Sequence, residues 1–100
     1  MEKMLFAVIF TDRPGQGALR AEHLQAHIDW VAAHADTVRV AGSLRAEPGE
    51  VPQGGLWIVE AESKPAVHQL MQTDPFWTCR LRQSVEVLHW SKALDRQVLV

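Results

Sequence analysis

The segment Met4-Leu-Phe-Ala-Val-Ile-Phe10 is apolar on two sides at once. Read as a strand, it points Met4, Phe6, Val8 and Phe10 one way and Leu5, Ala7 and Ile9 the other. An antiparallel sheet with one wet face would alternate apolar and polar residues instead. Two later segments repeat the feature: Leu56 and Ile58 oppose Trp57 and Val59, and Val85 and Val87 oppose Leu88 and Trp90. Such strands need apolar cover on both faces of their sheet. A chain of 100 residues makes one domain, residues 1–100, and has little material left for a second cover. Packing against a second copy is the simplest solution, so we expect a homodimer formed through the helix-free sheet face. Hiding on the order of 1,000 Å² of apolar surface at about 25 cal/mol per Å² would drive it strongly. The alternative cover is the C-terminal tail folded back over the face.

The remaining pattern fixes the fold class. Asp12-Arg-Pro-Gly-Gln-Gly17 is a loop, and from Leu19 to about Ala35 the spacing turns helical. There Leu24, Ile28, Val31 and Ala35 share one face, which predicts that this face packs on the sheet. Thr37–Ala41 reads as a second strand, Arg45–Gly54 as a loop and Gly55–Ala61 as a third strand. Ser63 is an N-cap and Pro65 fits the first turn of a helix ending near Gln72. Ser84–Trp90 is the fourth strand, and Gln97-Val-Leu-Val100 has the composition of one more short strand. The order β-α-β-β-α-β predicts an α+β, ferredoxin-like fold: an antiparallel sheet with both helices on one face.

Composition narrows the function. Ten basic residues stand against 12 acidic ones without a basic stripe, so nucleic acid is not an expected partner. The first apolar run is too short to span a membrane or serve as a secretory signal, and a single cysteine, Cys79, forms no internal disulfide. The expectation is a cytoplasmic protein without a membrane partner.

Few residues carry chemistry. His23, His27, Trp30 and His34 form a stripe beside the aliphatic face of the first helix, a boundary where an imidazole is either amphipathic filler or a proton carrier. His23 and His27 are one turn apart, a metal-ligand spacing, but no third ligand stands at a familiar offset, so no metal is expected. In Asp74-Pro75-Phe76 the proline aims the aspartate, with Phe76 and Trp77 beside it as an apolar wall. Taken alone, this tripeptide is better explained as an Asx-type turn that merely ends a helix. Cys79, near Arg80 and Arg82, is either a nucleophile or a buried structural thiol.

The ordered motifs resemble a known family. Arg20-Ala-Glu-His23-Leu24 is similar to R-x-x-H-L, Val40-Ala-Gly42-Ser43-Leu44 to an A-G-P-L turn, Asp74-Pro-Phe76 to D-P-F, and Val85–Trp90 to a closing E-V-x-P-W strand. Over residues 4–91, leaving a tail at 92–100, the chain thus resembles the YciI-like (YCII-related) family. That resemblance implies a dimeric α/β barrel and a His–Asp pair in a pocket, here His23 and Asp74. Some relatives are linked to dehydrochlorination or isomerisation of chlorinated ring and lactone metabolites. The chain departs from the family pattern at Ser43 and His89, where proline is usual. The expected function is cofactor-free general acid–base catalysis on a small polar-aromatic or lactone-like ligand. His23 would be the base and Asp74 its partner, with Arg20, Ser43, Phe76 and Trp77 holding the substrate. The alternative is a non-catalytic metabolite-binding or accessory module.

Overall fold

The computed structural model describes residues 2–96 and residue 100. Its elements are β1 (Met4–Asp12), α1 (Gly17–Ala33), β2 (Val38–Leu44), β3 (Gly54–Ala61), α2 (Lys64–Met71), α3 (Pro75–Thr78) and β4 (Arg82–Trp90). The sheet order is β2-β3-β1-β4, with every neighbour antiparallel. This is the ferredoxin-like α+β arrangement, with one short extra helix, α3, ahead of the last strand. The expected strand at Gln97-Val-Leu-Val100 falls on residues 97–99, outside the described residues.

Alternation along the strands builds the core. Phe6, Val8 and Phe10 of β1 lie opposite Val59, Trp57 and Gly55 of β3. With Val38, Ala61, Val67, Met71 and Val87 these form one buried cluster between the sheet and the helices. Gly54 is required by this pairing, because a Cβ there would sit 1.9 Å from the carbonyl oxygen of Phe10. Ser63 caps α2 by accepting a hydrogen bond from the Ala66 amide. The second face of the sheet carries Leu5, Ala7, Ile9, Val40, Leu44, Leu56, Ile58, Leu88 and Trp90, by the pairings Ala7↔Ile58, Ile58↔Val40, Ile9↔Leu56 and Leu5↔Trp90. Among the described residues no helix covers it, and all nine side chains are half-buried or exposed in the single chain.

The first helix is rotated from the sequence expectation. Leu24 is 41% and Ile28 48% exposed, and Ala35 lies beyond the helix end. The aromatic stripe packs instead. Trp30 stacks on Trp57 with centroids 5.3 Å apart, His34 stacks on Trp30 at 4.2 Å, and His27 stacks on Phe76 at 4.0 Å. These rings win because they bring area and polar handles together. Trp30 Nε1 donates to Thr73 Oγ1 (2.9 Å), and His34 Nδ1 donates to the Trp30 carbonyl (2.7 Å). Aliphatic side chains at the same positions would fill less of the gap to the sheet and leave the Thr73 hydroxyl without its indole donor.

Trp30→Ala should therefore cost about 2–4 kcal/mol in urea unfolding, against less than about 1 kcal/mol for Leu24→Ala. Equal losses would mean that the aliphatic stripe is the packed face after all.

Candidate active site

Asp74-Pro75-Phe76 creates the site. Proline pushes the residue before it out of helical space, and Asp74 is extended at φ −70° and ψ 131°. Asp74 thereby becomes the N-cap of α3, its Oδ1 accepting from the Phe76 amide at 3.1 Å. The same oxygen lies 2.7 Å from His27 Nδ1, where it accepts the ring N–H. Asp74 is 1% exposed and its Oδ2 is buried without a partner among the described residues. The His27 ring lies nearly parallel to the fully buried Phe76 ring, 11° between planes. Two contacts thus fix one imidazole and, since a carboxylate can only accept, place its proton on Nδ1. Nε2 has no hydrogen-bond partner among the described residues and is not a buried atom, so its lone pair remains reachable.

The expected partner of Asp74 was His23, and the structure corrects this. His23 is half-buried, and its side chain makes no hydrogen bond among the described residues. The reason is helical phase. At about 100° per residue, a step of seven residues ends within about 20° of its start, whereas a step of three ends about 60° away. Arg20 and His27 therefore share a direction that His23 does not.

That direction faces a groove of about 660 Å³ between α1 and β2. Arg20, Leu24, His27, Ile28 and Val31 line it from the helix, and Ala41, Gly42 and Ser43 from the strand. Large side chains opposite small ones, with the Trp30–Trp57 stack between helix and sheet, leave the space unfilled. Of the expected substrate contacts, Arg20 and Ser43 line the groove. Phe76 lies beneath it as the floor under His27, and Trp77 packs against the core. Cys79 is tied into the end of α3, its Sγ 3.7 Å from the Phe76 carbonyl oxygen.

Two functional candidates escaped the sequence reading. Asp12 ends β1 and Arg82 begins β4, and both are buried. Arg82 Nη1 donates to Asp12 Oδ1 at 2.8 Å, and Arg20 donates to Asp12 Oδ2 through Nε at 3.3 Å and Nη2 at 3.2 Å. A register shift makes this possible: Thr11 pairs with Ser84 but Asp12 pairs with Arg82. Without that bulge Gln83 would oppose Asp12, and Arg82 would point to the other face. Arg82 lies over the rings of Phe10 (4.3 Å) and Phe76 (5.1 Å), and Arg20 over Phe76 at 4.9 Å. Gly55 leaves room for it, since a Cβ there would come within 3.3 Å of Arg82 Nη2. Arg80 adopts a left-handed φ of 64° that turns the chain out of α3 and into β4. Leu81 N–H then bonds to the Phe76 carbonyl and Arg80 N–H to that of Trp77. No sequence signal short of this bulge and turn marks the pair.

Among the described residues, no three His, Cys, Asp or Glu side chains cluster to hold an ion. Nor is any helix among them long and apolar enough to cross a membrane.

The fold and its groove define an α+β domain built around a carboxylate-oriented histidine. Residues 4–91 match the YCII-related domain, and the chain belongs to that family. Among solved structures it is similar to 5-chloro-2-hydroxyhydroquinone dehydrochlorinase (TftG) from Burkholderia phenoliruptrix AC1100, captured in complex with 2,5-dihydroxybenzoquinone. The two share 32% identity over 88% of this chain and 94% of that one, with a TM-score of 0.79. A Bacteroides thetaiotaomicron protein described as an antibiotic biosynthesis monooxygenase shares the fold at 13% identity, with TM-score 0.59 and coverage of 99% and 97%. PA3566 from Pseudomonas aeruginosa does so at 14% identity, with TM-score 0.54 and coverage of 94% and 97%. No curated protein matches the chain.

Removing the shared acid, Asp12→Ala, would strand two guanidinium groups, one of them almost wholly buried. It should destabilise the protein by about 3–5 kcal/mol in denaturant titration, whereas the exposed Asp29→Ala should change it by less than about 0.5 kcal/mol.

Proposed function

We propose that this protein is an enzyme that moves a proton on a small polar-aromatic or lactone-like ring, with His27 as general base and acid. The observation that carries the reading is the 2.7 Å contact between His27 Nδ1 and the buried Asp74 carboxylate, with Nε2 left free beside the groove. Asp74 is a positioning residue: it selects the tautomer whose Nε2 is basic, and it steadies the imidazolium once a proton arrives. Its Oδ2 has no partner among the described residues, and besides His27 its Oδ1 accepts only from the Phe76 amide, so its charge is little shared with other donors when that imidazolium forms.

The reaction follows from the parts. A ring hydroxyl or ring C–H gives its proton to Nε2, and the electron pair stays on the ring. That pair either expels a leaving group such as chloride, completing loss of HCl, or takes the proton back at another ring atom, completing an isomerisation. Neither course calls for a cofactor. Leu24, Ile28 and Val31 suit the faces of a flat ring, and Arg20 and Ser43 suit its oxygens. The relationship to a dehydrochlorinase captured with a dihydroxybenzoquinone supports this choice of substrate.

The protein would work as a homodimer. Nine apolar side chains on the helix-free face, joined by strand pairing into one surface, support that face as the interface.

Assayed for chloride release from 5-chloro-2-hydroxyhydroquinone, His27→Ala should lower kcat/KM by about 10²–10⁴-fold. His23→Ala should stay within about threefold of the parent. Loss at His23 with retention at His27 would return the role to the earlier histidine. Binding of that ring without turnover would instead favour a metabolite-binding module. For the assembly, Ile58→Lys places a charge at the centre of the helix-free face and should give folded monomers by light scattering from a dimeric parent. A dimer that survives this change assembles elsewhere.

A further inference from the structure

The groove between α1 and β2 is lined by three guanidinium groups, from Arg20, Arg45 and Arg82, and by no carboxylate. The acid beside them, Asp12, is shared between Arg20 and Arg82. The other buried acid among the described residues, Asp74, is turned to His27. Positive charge therefore exceeds negative at one end of a partly apolar cleft. Arg82 is 2% exposed at its side chain, and its Nε is buried without a partner among the described residues. Burial pushes the Arg20 guanidinium down from its ordinary pKa; Asp12 pulls it back up, and the Arg82 and Arg45 charges push it down again. Buried cations in excess of their counter-charges are costly unless something arrives to pair with them.

We infer that the groove takes its ligand as an anion, seating a negatively charged oxygen of a flat ring, an enolate, phenolate or ring carboxylate, between Arg20 and Arg82 with Arg45 at the rim. Arg82 is then the residue that sets charge selectivity. The geometry has a simple logic. Arg20, Arg82 and His27 all lie against the one Phe76 ring, at 4.9, 5.1 and 4.0 Å from its centroid. A ring resting in the groove would thus meet the base at one point of its edge and the guanidinium pair at another. When a proton leaves for His27 Nε2, the electron pair left on the ring delocalises onto the oxygen that the arginines hold. A planar guanidinium suits this better than an ammonium, because it can donate side by side to oxygens in the plane of a ring. The inference rests on the acid–base reading only for the ring's place beside His27; the charge preference stands on the arginines.

The test compares two probes by calorimetry at neutral pH. One is 2,5-dihydroxybenzoquinone, an acid ionised at that pH. The other is 2,5-dimethoxybenzoquinone, the same ring without an acidic hydroxyl. The ionised probe should bind more tightly by about tenfold or more, with the gap narrowing as salt is added. Arg82→Gln leaves Arg20 and Asp12 as a balanced pair, removes the excess positive charge of the buried cluster, and should collapse the gap while changing the ether's affinity far less than that of the ionised probe. Circular dichroism checks that this variant folds. If it does not, the exposed Arg45→Gln decides the matter by narrowing the gap at least about threefold. A parental gap below about tenfold, an acid that fails to bind, or a gap untouched by the deciding variant overturns the proposal. His27→Ala keeps the two ideas apart: it should preserve the gap while lowering kcat/KM by the same factor of about 10²–10⁴. A preserved gap with unchanged turnover would remove the acid–base reading and leave the anion site standing.

Discussion

Phe76 is the part on which everything else in the site rests. It is fully buried, and its ring carries His27 on one contact and the Arg20 and Arg82 guanidiniums on others. It is placed by two neighbours in sequence. Pro75 fixes the backbone, and Asp74 caps the turn through the Phe76 amide. The tripeptide thus acts at once as helix start, aromatic floor and imidazole anchor. Its aspartate oxygen serves two donors that belong to elements far apart in the chain, so local capping and long-range positioning are one interaction.

The same economy explains why α1 turns its aromatic side to the core. An imidazole reaching Asp74 must point inward, and Trp30 and His34, at i+3 and i+7 from it, follow onto the same face. Leu24, Ile28 and Val31 are then forced onto the groove. Hydrophobicity ranked by residue type misjudges such a helix, because Leu and Ile score as core while His scores as surface. What decides the rotation is satisfaction of polar atoms: the indole N–H finds Thr73, and His27 and His34 each find an acceptor. The aliphatic stripe is left to wall a cleft.

Strand positions, element order and the two-sided apolar character of the sheet were legible because alternation is a local signal that tertiary contacts only reinforce. So was the Asp-Pro-Phe turn, whose backbone follows from proline sterics. Which histidine meets Asp74 was harder. Both lie on one helical stripe, and the difference between them is a rotation of about 40°. The phase relation to Arg20, seven residues before His27, was present in the chain, but it has meaning only once Arg20 is known to face a cleft. Asp12 and Arg82 were beyond reach. They are 70 residues apart, and their meeting depends on a one-residue bulge and a left-handed turn at Arg80, neither of which carries a glycine or other marker in the sequence.

That unmarked pair is also the least economical part of the fold, which is reason to look for its use. Two guanidiniums sharing one carboxylate pin β1, α1 and β4 together, yet well-packed apolar side chains would hold three elements as firmly without the desolvation of three charges. The register shift that brings Arg82 inside also interrupts the ladder at the point where β1 and β4 begin to pair. Stability alone favours neither feature. Both fall at the mouth of the groove, on the same aromatic ring as the oriented histidine. In the proposed reaction, a proton acceptor and an excess of positive charge set on one phenyl ring would favour a proton leaving a bound ring while its electron pair settles on the ring's oxygen. A site of this kind needs rigid cations set in place before the ligand arrives, and a shared buried acid is what keeps two arginines from turning out to solvent.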